Sequence, residues 1–202
     1  MKRSDYIFLF DLDSTITKVE ILPTIAKMVR KEKEIKRITE DTMKGIIPFK
    51  QSFLSRVDIL KDIDVATVNR LVSEIPLNGG VVRFLRENRE RCYVVTGNLD
   101  IWISGLMRRI DMENHCFCSR AVVIDGYIDK VISVLDKRRT VEQFVQPLIA
   151  VGDGDNDAEM ASLADIGIGF GGVRPIAPAL IANINYAFYD DEALYRFLTT
   201  LV

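Results

Sequence analysis

The sequence predicts an α/β protein, a doubly wound and mostly parallel sheet with an inserted helical cap. Three observations carry that reading. Apolar runs at residues 6–10, 92–95 and 148–151 suit strands buried on both faces, and each ends in polar residues. Residues 16–76 instead repeat apolar side chains at three- and four-residue spacing among many Lys, Glu and Arg, without a β-like run. From residue 77 onward strands and helices alternate, the pattern of a parallel sheet with right-handed crossovers. The expected division is a core of residues 1–15 and 77–202 and a helical cap of residues 16–76, with no internal repeat and no flexible linker.

In chain order, the first strand is the aromatic-rich run 6–10, closed by Asp11-Leu12-Asp13-Ser14-Thr15. Ile21, Ile25, Met28 and Val29 predict one cap helix, and Ile35 and Ile38 a second. Phe49, Phe53, Arg56 and Leu60 share one face of a third, and Asp64 caps a fourth that runs through Val68, Leu71 and Val72. A strand at 92–95 follows, ending in Thr96-Gly97-Asn98, then a helix over 99–110 and a short strand at 116–120. Residues 121–124 and 127–128 flank Asp125-Gly126 as a hairpin with a two-residue turn. A helix over 137–145, the buried strand 148–151, a helix over 158–163, a strand at 166–170 and a last strand–helix pair from Ala187 complete the chain.

Composition narrows the function. Of 202 residues 48% are hydrophobic and 28% charged, enough apolar material for a packed core. Lys+Arg 27 against Asp+Glu 29 leaves a formal charge of -2, so nothing favours nucleic acid or an anionic membrane as partner. The longest uncharged run, residues 175–189, contains two prolines and falls short of the ~20 apolar residues of a bilayer helix. The charged start at residues 1–5 leads into too short an apolar stretch for a secretory leader. Three cysteines, Cys92, Cys116 and Cys118, suggest no disulfide framework. The expectation is a cytoplasmic protein, monomeric or homodimeric.

Three strands end in polar clusters, Asp11/Asp13, Thr96/Asn98 and Asp153/Asn156/Asp157, and parallel strands bring such ends to one edge. Carboxylates gathered there repel unless a cation neutralises them, and Mg²⁺, a hard ion that keeps positions open for water and phosphate, suits an all-oxygen set. Asp11 would then attack phosphorus in line, giving an aspartyl-phosphate. Asp13 would protonate the leaving oxygen and later take a proton from water. Thr96 and the amides around Gly97 would bind phosphoryl oxygens, and a lysine would offset their charge. Lys137, opening its helix, is the choice for that lysine, with Lys130 as the alternative that spacing leaves open.

Asp11-Leu12-Asp13-Ser14-Thr15, Thr96-Gly97, Lys137 and Gly152-Asp153-Gly154-Asp155-Asn156-Asp157 resemble, in order, the four motifs of the haloacid dehalogenase superfamily. The segment between the first two resembles that superfamily's C1 cap, and the resemblance covers nearly the whole chain. It implies a HAD-like Rossmannoid core in which Asp11, the backbone carbonyl of Asp13 and Asp153 bind Mg²⁺. It also places Asp157 just behind those ligands and Asn156 near the phosphate. Within the superfamily the sequence is most similar to the phosphoserine phosphatase family. That family carries a glutamate downstream of the first motif, as Glu20 does here, and a cap phenylalanine and arginine seven apart, like Phe49 and Arg56. Arg56 would fork onto an α-carboxylate, Glu20 pair with an α-ammonium, and Phe49 exclude water. The implied activity is hydrolysis of a small phosphorylated metabolite, O-phosphoserine first. Another small phosphate ester, or transfer to an acceptor other than water, is the alternative. The second motif departs from the family pattern: Thr96-Gly97-Asn98 stands where that family reads Ser-Gly-Gly, so Asn98 sets a side chain beside the substrate.

Competing readings fit less well. Asp153-x-Asp155-x-Asp157 begins like a calcium loop, but Ala158 and Ala164 occupy the positions that need Gly and Glu. Gly167-x-Gly169-x-x-Gly172 begins inside a strand with too little chain after it to bind a dinucleotide, so close packing explains it. His115 beside Cys116 and Cys118 lacks the paired spacing of a zinc site. Residues 31–37 mix both signs as a solvated helix does. A receiver-type signalling module also phosphorylates an aspartate, yet it calls for neither the long helical insertion nor Asp13.

Overall fold

The computed structural model describes residues 5–43 and 46–202. Residues 1–4 of the expected core, with the charged start weighed as a leader, and residues 44–45 of the expected cap lie outside the described residues.

Seven strands form one sheet: β1 (Ile7–Phe10), β2 (Cys92–Leu99), β3 (Cys116–Ile124), β4 (Tyr127–Ser133), β5 (Leu148–Gly152), β6 (Ile166–Phe170) and β7 (Tyr186–Phe188). Their order is β4-β3-β2-β1-β5-β6-β7, parallel throughout except for the β3–β4 hairpin. β1 is central, with Phe10 opposite Val94 of β2 and Val151 of β5. Strand order reverses at β1, the crevice where open α/β sheets bind ligands.

Alternation along the strands sorts the core into two layers. Phe8, Phe10, Val94, Ile149 and Val151 face one side, packing with Phe84 of α5 (Gly79–Glu87), Ile103 and Leu106 of α6 (Asp100–Arg109) and Leu194 of α10 (Asp191–Leu198). Leu9, Val95 and Ala150 face the other, against Val141 of α7 (Lys137–Val141) and Met160 of α8 (Ala158–Leu163). Helices therefore cover both faces. A short α9 (Pro178–Ile181) packs near α8 through Ala158, Ala161 and Leu180.

The cap holds α1 (Ile21–Ala26), α2 (Glu32–Met43), α3 (Phe49–Leu60) and α4 (Val65–Ser73). Its buried residues Ile21, Ile25, Phe53, Val57 and Val68 are continuous with the larger sheet layer. The two connecting segments pair with each other, Thr17 with Leu77, and Asn78 donates to the Thr15 carbonyl at 2.8 Å. Asp64 caps α4, accepting from Thr67 N at 2.8 Å. No described helix is long and apolar enough to cross a membrane.

Several local expectations change. The first cap helix ends at Ala26, and Met28 and Val29, expected on its buried stripe, are exposed. Arg30 adopts φ 58°, a left-handed stop that turns the chain before α2. The helix expected over 137–145 stops at Val141, and Glu142 and Gln143 form a turn after it. β2 runs on to Leu99, so Thr96, Gly97 and Asn98 lie inside the strand, with an irregular register against β3. The short strand and hairpin arm after residue 115 are one strand, β3. At its turn Asp125 and Gly126 take φ 51° and 86°, both left-handed as a two-residue hairpin turn requires. A β-carbon at Gly167 would fall 2.6 Å from the Asn183 carbonyl, which accounts for that glycine by packing.

Candidate active site

Asp11 leaves the end of β1 with its N–H on the Val151 carbonyl at 2.9 Å, and its side chain is buried. Leu12 O accepts from Ile16 N and Thr17 N, both at 3.0 Å, and Ser14 takes φ 57°; this tight turn carries Asp13 out of the sheet plane. Asp13 Oδ1 accepts from Ile21 N at 2.6 Å, the first N–H of α1, and Oδ2 accepts from Asn98 Nδ2 at 2.5 Å. Both carboxylate oxygens of Asp13 are thus engaged away from Asp11.

Of the two lysines that spacing left open, Lys137 lies beside the carboxylates. Its buried Nζ donates to Asp11 Oδ1, and to Asp157 Oδ1 at 2.5 Å, whereas Lys130 is exposed on β4. Burial opposes the charged lysine, but Asp11 and Asp157 together hold its pKa above the usual range. Asp157 Oδ2 accepts from Asp153 N at 3.1 Å and Gly154 N at 2.9 Å, so both of its oxygens have protein donors. Burial, with Asp157 nearby, raises the Asp11 pKa well above the carboxylate norm. Burial likewise pushes Asp153 up to about 7 against the opposing pull of Arg174.

Asp11, Asp153 and Asp157 present carboxylate oxygens within 4.8 Å of one another. Asp153 Oδ1 is buried and unpartnered, a costly state for a carboxylate oxygen. With Asp157 saturated, that oxygen and Asp11 are the acceptors left for a hard cation, and the all-oxygen donor set suits Mg²⁺. The side chain of Asp13 is committed elsewhere, so only its main-chain oxygen remains to serve such an ion.

On β2, Thr96 Oγ1 accepts from Asn98 N at 3.2 Å and Asn98 Nδ2 at 3.0 Å, which leaves its own O–H to donate outward. Ser119 Oγ fixes the Gly97 carbonyl at 2.7 Å. Asn156 sits in the turn after β5 and lines the same cavity.

Residues of α3 line the other side of that cavity. Phe49 and Arg56, at i and i+7 of α3, share its inner face. A β-carbon at Gly97 would lie 2.5 Å from Phe49 Cζ, so the ring covers the glycine directly, and Phe53 stacks behind it at 6.0 Å. Arg56 is buried; Nε donates to Ser52 O at 3.3 Å and Nη1 to Thr39 Oγ1 at 3.1 Å. Burial lowers its pKa while Asp13 and Glu20 raise it. The cavity volume is about 240 Å³, lined by Asp11, Asp13, Glu20, Phe49, Arg56, Thr96, Gly97, Asn98 and Asn156.

Sequence reasoning missed Arg174. Its Nε donates to Asp153 Oδ2 and its Nη1 to Glu20 Oε1 at 2.5 Å, joining the end of β6 to the cap. No motif marks it, but it is the sole Lys or Arg between Arg139 and Arg196, in the loop after a parallel strand.

Residues 7–165 match the haloacid dehalogenase-like hydrolase family. The chain belongs to that family. Over 185 residues it is 30% identical to the phosphoserine phosphatase of Methanocaldococcus jannaschii, covering 84% of this chain and 87% of the relative. A substrate-bound phosphoserine phosphatase complex superposes with TM-score 0.83 at 26% identity, covering all of both chains. A phospho-aspartyl intermediate analogue of phosphoserine phosphatase gives TM-score 0.82, also at 26% identity, over 98% of this chain and all of that one. This haloacid dehalogenase-like protein is therefore an enzyme of the phosphoric monoester hydrolase class, similar to phosphoserine phosphatases, and a receiver-type switch is set aside.

Proposed function

We propose that the chain is a Mg²⁺-dependent phosphatase that hydrolyses O-phosphoserine to serine and phosphate through an aspartyl-phosphate. In this reading residues 16–76 cap a catalytic core of residues 1–15 and 77–202. The observation that carries it is the single cavity in which Asp11 and Asp13 of the core face Arg56 and Phe49 of the cap. At about 240 Å³ it is smaller than the ~300–1,000 Å³ of drug-sized ligand pockets, which fits a small metabolite.

Asp11 attacks phosphorus, with Lys137 pulling against the burial that raises its pKa and offsetting charge on the phosphoryl oxygens. Thr96 O–H, the Gly97 amide and Asn156 donate to those oxygens. Asp13, fixed by Ile21 N and Asn98, protonates the seryl oxygen as it leaves. It then accepts a proton from the water that cleaves the acyl-phosphate. Held by Asp11, the Asp13 carbonyl and Asp153, with Asp157 behind them, Mg²⁺ would neutralise the crowded carboxylates and the phosphoryl group. Arg56 forks onto the α-carboxylate, Glu20, steadied by Arg174, meets the α-ammonium, and Phe49 excludes water.

The test is a phosphate-release panel of O-phospho-L-serine, sugar phosphates and nucleotides, run with Mg²⁺ and after chelation. Phosphoserine should rank among the better substrates and chelation should abolish turnover. Phosphoserine among the poor substrates overturns the amino-acid assignment, and undiminished turnover in chelator overturns the cation dependence.

A further inference from the structure

Arg56 reaches the cavity from α3, but its aim is set from α2. Its Nε donates to the Ser52 carbonyl at 3.3 Å, one turn back on its own helix. Its Nη1 donates to Thr39 Oγ1 at 3.1 Å, across 17 residues of chain. Thr39 has no proton to offer a ligand, because its own O–H goes to the Ile35 carbonyl at 3.0 Å. What the hydroxyl supplies at this point is an acceptor for the guanidinium. A guanidinium carries its N–H donors in a flat, rigid fork, so one support on α3 and one on α2 fix the direction of the others. Those others, the Nη2 protons among them, are left for a ligand in the cavity that Arg56 and Thr39 both line.

Nearby carboxylates do not do this work. Asp13 and Glu20 act on Arg56 through space, without a hydrogen bond. Resting on the phosphoserine reading, we propose that Thr39 is a positioning residue: by holding Nη1 it presents the free end of the Arg56 guanidinium to the substrate's α-carboxylate. A second link, from Thr42 Oγ1 to Ser52 Oγ, ties α2 to α3 at the same level and keeps the two helices in register. Two-pronged binding of a carboxylate depends on orientation, so a guanidinium that swings binds it less well although its charge is unchanged. The α-carboxylate takes no part in the bond changes at phosphorus. Its hold is therefore equal in ground state and transition state, and its loss raises KM while kcat persists.

The experiment measures kcat and KM for O-phospho-L-serine in wild type, Thr39→Val, Thr39→Ser, Arg56→Met and the Thr39→Val/Arg56→Met double variant. In Thr39→Val, KM should rise about tenfold with kcat within about twofold of wild type, as expected for losing a hydrogen bond from a charged donor. Thr39→Ser keeps the hydroxyl and should restore the wild-type KM. With Arg56→Met already in place, Thr39→Val should change KM by less than about twofold, because no guanidinium remains to be aimed. A packing role alone would give the same change with and without Arg56, and no rescue by serine. That result, or a wild-type KM in Thr39→Val, overturns the role of Thr39 and leaves the phosphatase reading standing. If wild type releases no phosphate from O-phospho-L-serine, the phosphoserine reading falls and this inference with it.

Discussion

Phe49 of the cap lies directly over Gly97 of the sheet, so close that a β-carbon on Gly97 would approach Phe49 Cζ to 2.5 Å. Gly97→Ala should therefore push the ring off the strand and open the cavity to water. The expected outcome in steady-state kinetics is a KM for O-phosphoserine raised about tenfold, with thermal stability nearly unchanged because the atom met is the far end of a side chain that can yield. An unchanged KM would show that the ring does not bear on the substrate.

Lys137 is buried between two aspartates. Lys137→Met removes the cation and leaves Asp11 and Asp157 uncompensated, a loss of about 3–5 kcal/mol for a broken buried pair. Urea denaturation in chelator should show that loss, and added Mg²⁺ should recover part of it. Turnover should disappear. Wild-type stability in chelator would refute the electrostatic account.

Asp13→Asn should cut kcat by about 10²–10⁴-fold, the usual contribution of a positioned acid or base. Magnesium binding, followed by calorimetry, should persist, since the Asp13 side chain is engaged by Ile21 and Asn98 rather than by the carboxylate cluster. Retained activity would remove Asp13 from proton transfer.

Gly80→Ala tests packing away from the chemistry. A β-carbon there would fall 2.3 Å from the Asp191 carbonyl at the start of α10. The helix must shift, costing about 1–3 kcal/mol. The melting temperature should drop by several degrees while kcat at 25 °C stays at the wild-type value.

Much of the site was readable because its residues sit where chemistry and topology coincide. Asp11 and Asp153 each close an apolar run, and parallel strands force such ends together. Spacing alone could not choose between Lys137 and Lys130, since that depends on whether α7 or the hairpin approaches β1; it is Lys137 of α7 that reaches Asp11. Met28 and Val29 misled because periodicity carries no signal for a left-handed residue such as Arg30, which ends the stripe early. Arg174 escaped for another reason. Its role comes from a loop that brings it onto Asp153 and Glu20, a long-range contact with no local pattern. The reach of β2 through Asn98 was likewise set by its neighbour β3, not by its own residues.

The paired tethers at Thr17 and Leu77 have a consequence for how the enzyme cycles. Asp13 stands just before the first tether, and its carboxylate is held by Ile21 N just after it. Any swing that lifts α1 to release product also strips that N–H from Asp13. Under the proposed mechanism, opening the cavity and loosening the acid would be one movement, and Asp13 would be held for proton transfer only while α1 stays docked.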